Sequence, residues 1–199
     1  MTDSTPDITR SASWLASLRA GIVLIILCGG IYPFAVTSLG GLLFPHQATG
    51  SLITIDGNVV GSELVGQRFD APGYFHGRPS AANHDPFVVS GSNYAASNPE
   101  LRERVRQTSQ LIADRDNIAP EAIPVDLLAA SGSGIDPHIS PDAARIQAAR
   151  IASARGIPAE QVNELIQRYT QAPTLGVLGQ PRVNVLRLNL ALDGKERSD

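Results

Sequence analysis

The sequence predicts an α+β fold, with one N-terminal transmembrane helix followed by a single compact α+β domain outside the cytoplasm. Three observations support this prediction. A long uncharged stretch lies near the N-terminus, segments with the two-residue alternation of strands lie near both ends of the remainder, and helix-start signals recur between them. We expect residues 1–13 to form a disordered cytoplasmic tail, residues 14–45 the transmembrane helix and its flank, and residues 46–199 the periplasmic domain.

The uncharged stretch runs from Ala20 to Pro45 and contains no Asp, Glu, Lys or Arg. As a helix it would rise about 39 Å, more than the ~30 Å hydrocarbon core of a bilayer. The apolar run of a cleaved secretory signal is shorter, roughly 7–15 residues. A lipoprotein signal would place a small residue directly before Cys28, where this chain has Leu27. The stretch therefore predicts a retained membrane anchor.

Charges flanking the span predict its orientation. Arg10 and Arg19 precede it, whereas no Lys or Arg follows until Arg68. Because positively charged flanks stay in the cytoplasm, we expect the N-terminus inside and everything after His46 outside the inner membrane. The only cysteine, Cys28, lies within the span, so the domain has no thiol for an oxidising compartment to pair.

Glycine and proline inside the span predict an irregular helix. Gly29, Gly30 and Pro33 mark an expected kink, because proline removes one backbone donor. Gly40 and Gly41 follow near the far end. Small residues let helices approach closely in lipid, so the span either docks against other membrane helices or contacts lipid alone, and the sequence leaves both open.

The first half of the domain opens with a predicted hairpin. Residues 51–55 alternate, Asp56-Gly57 forms a turn, and residues 58–60 return. Residues 61–98 are rich in Gly, Pro, Ser and Asn and predict structured loops with short strands. A helix is expected to begin near Ser97 or Asn98, with Pro99 at its first position, and to end near Asp116.

The second half predicts three further helices and a closing strand. A short helix should follow Pro124 and end at the glycine loop 132–134, and Ser140-Pro141 should start a helix that stops at Gly156. Another helix is expected over residues 158–169. Residues 182–192 alternate loosely between apolar and polar side chains and predict a strand.

Composition and motifs argue against several functions. A formal net charge of −3 without a basic cluster argues against a nucleic-acid surface. A Walker loop needs Gly-Lys-Ser/Thr, but the only lysine is Lys195 in the tail. Ser131, Ser133, Asp136 and His138 lie close together in sequence, yet no Gly-x-Ser-x-Gly elbow accompanies them. The histidines lack the spacing of metal ligands. These patterns favour a binding or assembly module.

Several longer motifs carry a family resemblance. They comprise residues 61–67, 74–81, 90–93, 97–99, 130–141, 179–186 and 188–193. In this order they resemble the C subunit of the Kdp-type potassium-transporting ATPase, over nearly the whole chain from the span onward. The resemblance marks these residues as structural or interface positions: Gly66, Gln67, Tyr74, Phe75, Gly77, Arg78, Pro79, Ser80, Gly91, Ser92, Asn93, Asn98, Pro99, Ser131, Gly134, Asp136, Pro181, Val183, Asn184 and Asn189.

The resemblance implies a bacterial inner-membrane complex that imports K⁺ at the expense of ATP. A channel-like subunit would carry the ion, a P-type ATPase subunit would hydrolyse ATP, and the C subunit would assist without turnover of its own. It would act as a catalytic chaperone that raises the ATP affinity of the ATPase subunit. No firmly bound cofactor is expected, and any contact with ATP would be shared with the ATPase subunit.

The residue that the resemblance suggests for nucleotide contact is Gln147. The alternative is an amide on a helix face that is bonded to a neighbour. The flanking charges place Gln147 outside the membrane, whereas ATP lies inside, so we expect the nucleotide effect to be indirect. A different class of function also remains open, namely a membrane-tethered extracytoplasmic binding protein or hydrolase that acts alone.

Overall fold

The computed structural model describes residues 14–195, and their contacts form two compact units that divide between Thr49 and Gly50. The predicted disorder of residues 1–13 lies outside the described residues. The first unit is helical along most of its length. Its elements are α1 (Trp14–Ile26), a π-helical turn (Leu27–Ile31), α2 (Tyr32–Leu43) and α3 (Pro45–Ala48).

The first unit is the expected membrane-length helix. From Trp14 to Leu43 it covers 30 residues and is long and apolar enough to cross a membrane. At 1.5 Å per residue it would rise about 45 Å. None of the side chains of α1 or α2 is buried within the chain, so their apolar surface needs lipid or partner helices to cover it.

The π-helical turn interrupts this helix where the sequence predicted an irregularity. It contains Gly29 and Gly30 and ends two residues before Pro33, which lies at the start of α2. Proline has no N–H to give to the preceding turn, and a π turn is one of the ways in which a helix accommodates that loss.

The second unit is an α+β domain with two small antiparallel sheets. The first pairs β1 with β2, and the second has the order β3-β5-β4. The strands are β1 (Leu52–Ile55), β2 (Asn58–Ser62), β3 (His138–Ile139), β4 (Thr170–Gln171) and β5 (Arg182–Asn184). The helices are α4 (Pro99–Asp116), α5 (Pro141–Arg145), α6 (Ala148–Arg155), α7 (Ala159–Tyr169) and α8 (Val185–Leu192), with 3₁₀ turns at Pro120–Ala122 and Val125–Leu127.

Two predicted elements are confirmed by their local chemistry. Asp56 and Gly57 both have positive φ, as a two-residue hairpin turn requires, and Ile55 pairs with Asn58 across it. At the start of α4 the side chain of Asn98 accepts a hydrogen bond from the backbone of Glu100 at 2.8 Å. This cap satisfies one of the donors that a helix start leaves unpaired.

The C-terminal strand prediction is wrong over most of its length. Only β5 is extended, and α8 begins directly after it at Val185. Asn184 ends the strand and caps the helix, since its side chain accepts from the backbone of Arg187 at 3.1 Å. The apolar positions that looked alternating also fit a helical face, on which Val185 and Leu188 are buried.

Other predictions from the middle of the domain need smaller corrections. Residues 63–98 contain no strand, and the short helix expected after Pro124 is a 3₁₀ turn. The helix expected to run from Pro141 to Gly156 is divided into α5 and α6 at Ile146 and Gln147. The core is built by α6, α7, α8 and β5 around one side chain from the irregular region. Its largest members are Phe75, Leu127, Ile151, Val162, Ile166, Val183 and Leu188.

Candidate functional site

The family motifs converge on one irregular stretch of backbone, residues 63–80, which we call the clamped segment. It contains no helix or strand, so its backbone N–H and C=O groups have no regular partners. Side chains of α6, of the residue just before it and of α8 bond to many of these groups. The loop 131–136 adds backbone hydrogen bonds and an ion pair with Arg78.

The amide of Gln147 holds His76. Its oxygen accepts from the His76 N–H at 2.8 Å, and its nitrogen donates to the His76 carbonyl at 3.1 Å. The same oxygen accepts from Arg150 at 2.9 Å, and the same nitrogen donates to the carbonyl of Ala143 at 3.1 Å. Gln147 is 0% exposed. The structure therefore places it in the interior as a residue bonded to its neighbours, and its contact with nucleotide stays a prediction.

The amide of Asn189 holds the preceding residue in the same way. It accepts from the Phe75 N–H at 2.8 Å and donates to the Phe75 carbonyl at 3.0 Å. Asn189 projects from α8 and is 1% exposed. Phe75 itself is fully buried, so this pair of hydrogen bonds fixes the backbone behind a central core side chain.

A buried carboxylate joins α4 to α6 beside the clamped segment. Asp116 accepts from Arg150 at 2.6 Å and from Arg115 at 2.6 Å and 3.0 Å. Arg150 also donates to the carbonyl of Tyr74, and Arg115 lies 2.7 Å from Nδ1 of His76. Burial and the neighbouring guanidinium of Arg115 lower the pKa of His76 to about 4. The imidazole is therefore neutral near pH 7.

The C-terminal end of α8 is tied to the same stretch. Arg155 donates to the carbonyls of Gly73 and Leu192 and to the carboxylate of Asp193. Its guanidinium lies over the ring of Tyr74, 4.8 Å from the centroid, and the hydroxyl of Tyr74 donates to Asp193 at 2.9 Å. Residues separated by more than a hundred positions thus meet in one polar cluster.

The charged residues of the other motif form a second cluster. Arg78 donates to Asp136 at 2.8 Å, and Asp136 also accepts from the backbone of His138. Burial works to raise the pKa of Asp136, but hydrogen bonds from His138 and Arg78 outweigh it and hold this pKa at about 2. The Ser131 hydroxyl accepts from the N–H groups of Gly134 and Asp136, which closes a tight turn.

Glycines let these loops approach closely. A Cβ on Gly66 would lie 2.7 Å from the carbonyl oxygen of Asp136, and one on Gly91 would lie 2.7 Å from that of Gly132. Gly134 has a φ of +76°, and a Cβ there would lie 2.6 Å from the carbonyl oxygen of Ser90. Only glycine fits such contacts without displacing backbone.

The remaining motif residues serve backbone geometry or packing. Ser80 donates to the carbonyl of Gly134, and the carbonyl of Pro79 accepts from the backbone of Ser131. Gln67 donates to the carbonyl of Val60. Elsewhere, Ser92 accepts from Arg104, and Asn184 donates to the carbonyl of Glu63. Asn93 has a positive φ, and Val183 is buried in β5. A Cβ on Gly77 would have no atom within 4 Å. Asn98 and Pro99 start α4, away from the clamped segment.

An open groove of about 920 Å³ lies beside β3 and β5. Its lining mixes both signs of charge with apolar surface, and it includes Arg78, Asp136, His138, Arg145, Pro181 and Arg182. Within residues 14–195 no group of three or more His, Cys, Asp or Glu side chains could hold a metal ion. The groove has the dimensions of a ligand or peptide site.

Sequence reasoning missed the long-range partners of the clamped segment. Asp116, Arg150 and Arg155 belong to no motif that was singled out, although each bonds to residues 34 to 82 positions away. Their helical spacing is typical of solvated charge. No local pattern distinguishes a buried arginine from an exposed one, so only the tertiary structure identifies them.

A helix long and apolar enough to cross a membrane, followed by a small α+β domain whose motif residues hold loops together, is typical of a membrane-tethered accessory or binding module. Comparison with known proteins agrees with this class and narrows it. A family described as K⁺-transporting ATPase, c chain, matches residues 14–194. The chain belongs to this family, which confirms the resemblance.

Curated relatives match along nearly their whole length. A protein of Shewanella putrefaciens is 51% identical over 185 residues, which cover 93% of this chain and 93% of the relative. One from Xanthomonas oryzae pv. oryzae is 52% identical over 177 residues, covering 89% and 85%. One from Caldanaerobacter subterraneus subsp. tengcongensis is 44% identical over 177 residues, covering 88% and 92%. All three are named potassium-transporting ATPase KdpC subunits.

Proposed function

We propose that this chain is an accessory subunit of a high-affinity, ATP-driven potassium import complex and has no turnover of its own. The observation that carries the proposal is the family match, which extends from residue 14 to residue 194 and so covers both the apolar helix and the domain. The polar clusters of the domain agree with it. Most of their hydrogen bonds are made to backbone groups, as expected of residues that stabilise a fold and do not take part in bond-breaking chemistry.

The proposed partners are a channel-like subunit and a P-type ATPase subunit of the same complex, together with lipid around the span. Two loop tips of the domain support a role in assembly, because they expose large apolar side chains. Phe87 is 95% exposed on one tip, and Leu175 and Val177 project from the other. Leu175 also has a φ of 55°, which is unfavourable for a leucine and is tolerated where a site requires it.

We further propose that the N-terminus is cytoplasmic and the domain periplasmic, in the inner membrane. The basic residues before the span support this orientation. Protease added outside intact spheroplasts should then degrade residues 46–199, with a cytoplasmic protein as the protected control. Protection of the domain until the membrane is lysed would overturn the orientation.

In this arrangement the chain raises the ATP affinity of the ATPase subunit indirectly, as a catalytic chaperone that acts through the assembled complex. The test is to purify the complex with and without this chain and to measure the KM for ATP. A higher KM without the chain, with ATP binding undetectable on the isolated chain, is the expected result. An unchanged KM would remove the chaperone role.

Deletion of the gene tests membership of the pump itself. Cells lacking the chain should stop growing at micromolar K⁺ and recover when it is supplied again, and the tagged chain should co-purify with a multi-span subunit and an ATPase. The groove beside β3 favours one alternative, a tethered binding protein that acts alone. Unchanged growth at micromolar K⁺ would favour that alternative.

A further inference from the structure

Phe75 and His76 belong to no helix or strand, and their backbone groups bond to side chains on or next to two helices. In an extended chain the N–H and C=O of one residue point to the same side, and those of the next residue point to the other. In a sheet, neighbouring strands would satisfy both sides. Here the groups of Phe75 reach Asn189 on α8, and the groups of His76 reach Gln147 at the start of α6.

We infer that Gln147 and Asn189 are a matched pair of positioning residues that replace the missing strands, and that Gln147 makes no contact with nucleotide. The two amides form equivalent brackets on adjacent residues. Each accepts from a backbone N–H at 2.8 Å and donates to the carbonyl of the same residue, at 3.1 Å for Gln147 and 3.0 Å for Asn189. Both side chains are buried.

The hydrogen-bonding capacity of Gln147 is fully used. A side-chain amide accepts two hydrogen bonds on its oxygen and donates two from its nitrogen. Besides the two bonds to His76, Gln147 accepts from Arg150 and donates to the carbonyl of Ala143. The partners also fix the orientation of the amide, because a backbone N–H and a guanidinium can only donate. A nucleotide would have to reach a buried group and break one of these bonds.

The bond to Ala143 explains why the predicted helix is divided. In a continuous helix the N–H of Gln147 would donate to the carbonyl four residues earlier, which is that of Ala143. Instead, the side-chain nitrogen of Gln147 takes that carbonyl, and its backbone N–H donates to Ala144 at 3.1 Å. The side chain therefore replaces its own backbone donor and turns its oxygen toward His76.

The test compares substitutions at the two amides in the full-length chain and in the complex. Gln147→Ala and Asn189→Ala each remove one bracket, and Gln147→Glu keeps the acceptor while losing both donors. Gln167→Ala, an exposed glutamine on α7, is the matched control. The measurements are the Tm of the purified chain in detergent and the KM for ATP of the complex.

The inference expects both alanine variants to lower the Tm by several degrees, with Gln147→Glu intermediate and Gln167→Ala unchanged. It expects the KM for ATP to stay within about twofold of wild type in every variant that assembles. If Gln147→Ala does not fold, Gln147→Glu decides, because a carboxylate at a nucleotide contact would repel phosphate and raise the KM.

The inference is overturned if either Gln147 variant raises the KM by about fivefold or more while Asn189→Ala does not. It is equally overturned if Gln147→Ala matches Gln167→Ala in Tm. The KM comparison rests on the proposed function, whereas the Tm comparison uses the chain alone. A chain that fails to assemble with any ATPase would therefore refute the proposed function and leave the brackets to be judged by the Tm.

Discussion

Asp116 is a position at which a small chemical change should strongly lower the free energy of unfolding. Asp116→Asn replaces one carboxylate oxygen by an NH₂ group and removes the negative charge that two guanidinium groups share. The carboxylate is 0% exposed, and Arg150 is 9% exposed. Removing one partner of a buried ion pair typically costs about 3–5 kcal/mol, because the remaining charge is left uncompensated.

Two features place the expected cost near the lower end of that range. Arg115 is more exposed than Arg150, so water can compensate part of its charge. Arg150 keeps its hydrogen bonds to the carbonyls of Pro72 and Tyr74. A loss of about 3 kcal/mol corresponds to a fall in Tm of roughly 6–12 °C for a domain of this size.

The assay is thermal unfolding of the purified full-length chain in detergent, monitored by the circular dichroism of its backbone. Asp142→Asn is the matched control, since Asp142 pairs with Arg145 on the surface and is 77% exposed. Exposed pairs contribute about 0–1 kcal/mol, so its Tm should hardly move. If Asp116→Asn unfolds within about 1 °C of that control, the buried network does not hold α4 to α6.

Three further predictions concern pH, backbone approach and capping. The pKa of His76 is about 4 in the folded chain against 6.5 ordinarily, so its contribution to stability should be full above pH 6.5 and lost as pH falls toward 4. His76→Gln should flatten the slope of Tm against pH over this interval. An unchanged slope would contradict the lowered pKa of His76. Gly66→Ala should lower the free energy of unfolding by about 1–3 kcal/mol in chemical denaturation, because its Cβ would meet the carbonyl of Asp136. Gly77→Ala is the control, since a Cβ there meets nothing within 4 Å. Equal effects of the two substitutions would refute the contact. Asn98→Ala should cost about 1 kcal/mol in the same assay through loss of the helix cap, and retention of wild-type stability would show that the cap is dispensable.

The secondary structure could be predicted from local sequence where a short stretch determines the backbone conformation. The Asp56-Gly57 turn and the Asn98-Pro99 helix start satisfy their own hydrogen bonds within a few residues, and both were predicted correctly. The strand expected over residues 182–192 failed because its apolar pattern fits two periods. The deciding residue is Asn184, whose cap on Arg187 begins a helix.

The candidate site was only half predictable for a related reason. The resemblance identified Phe75 and Asn189 as motif residues, and the structure shows that they bond to each other. It could not identify Asp116 or Arg150, because burial decides their role and their partners lie far away in sequence. Interactions of this kind depend on how helices pack, which composition and spacing do not encode.

The bracket on Phe75 also sets the order in which the domain can be completed. Phe75 and Asn189 are 114 positions apart, and Asn189 lies in the last helix of the described chain. During synthesis the hydrogen bonds between the Phe75 backbone and Asn189 can form only after almost the entire polypeptide has been made. A product that stops short of α8 would leave the backbone of a central aromatic residue without its partner, so a chain that terminates early cannot complete the core around Phe75.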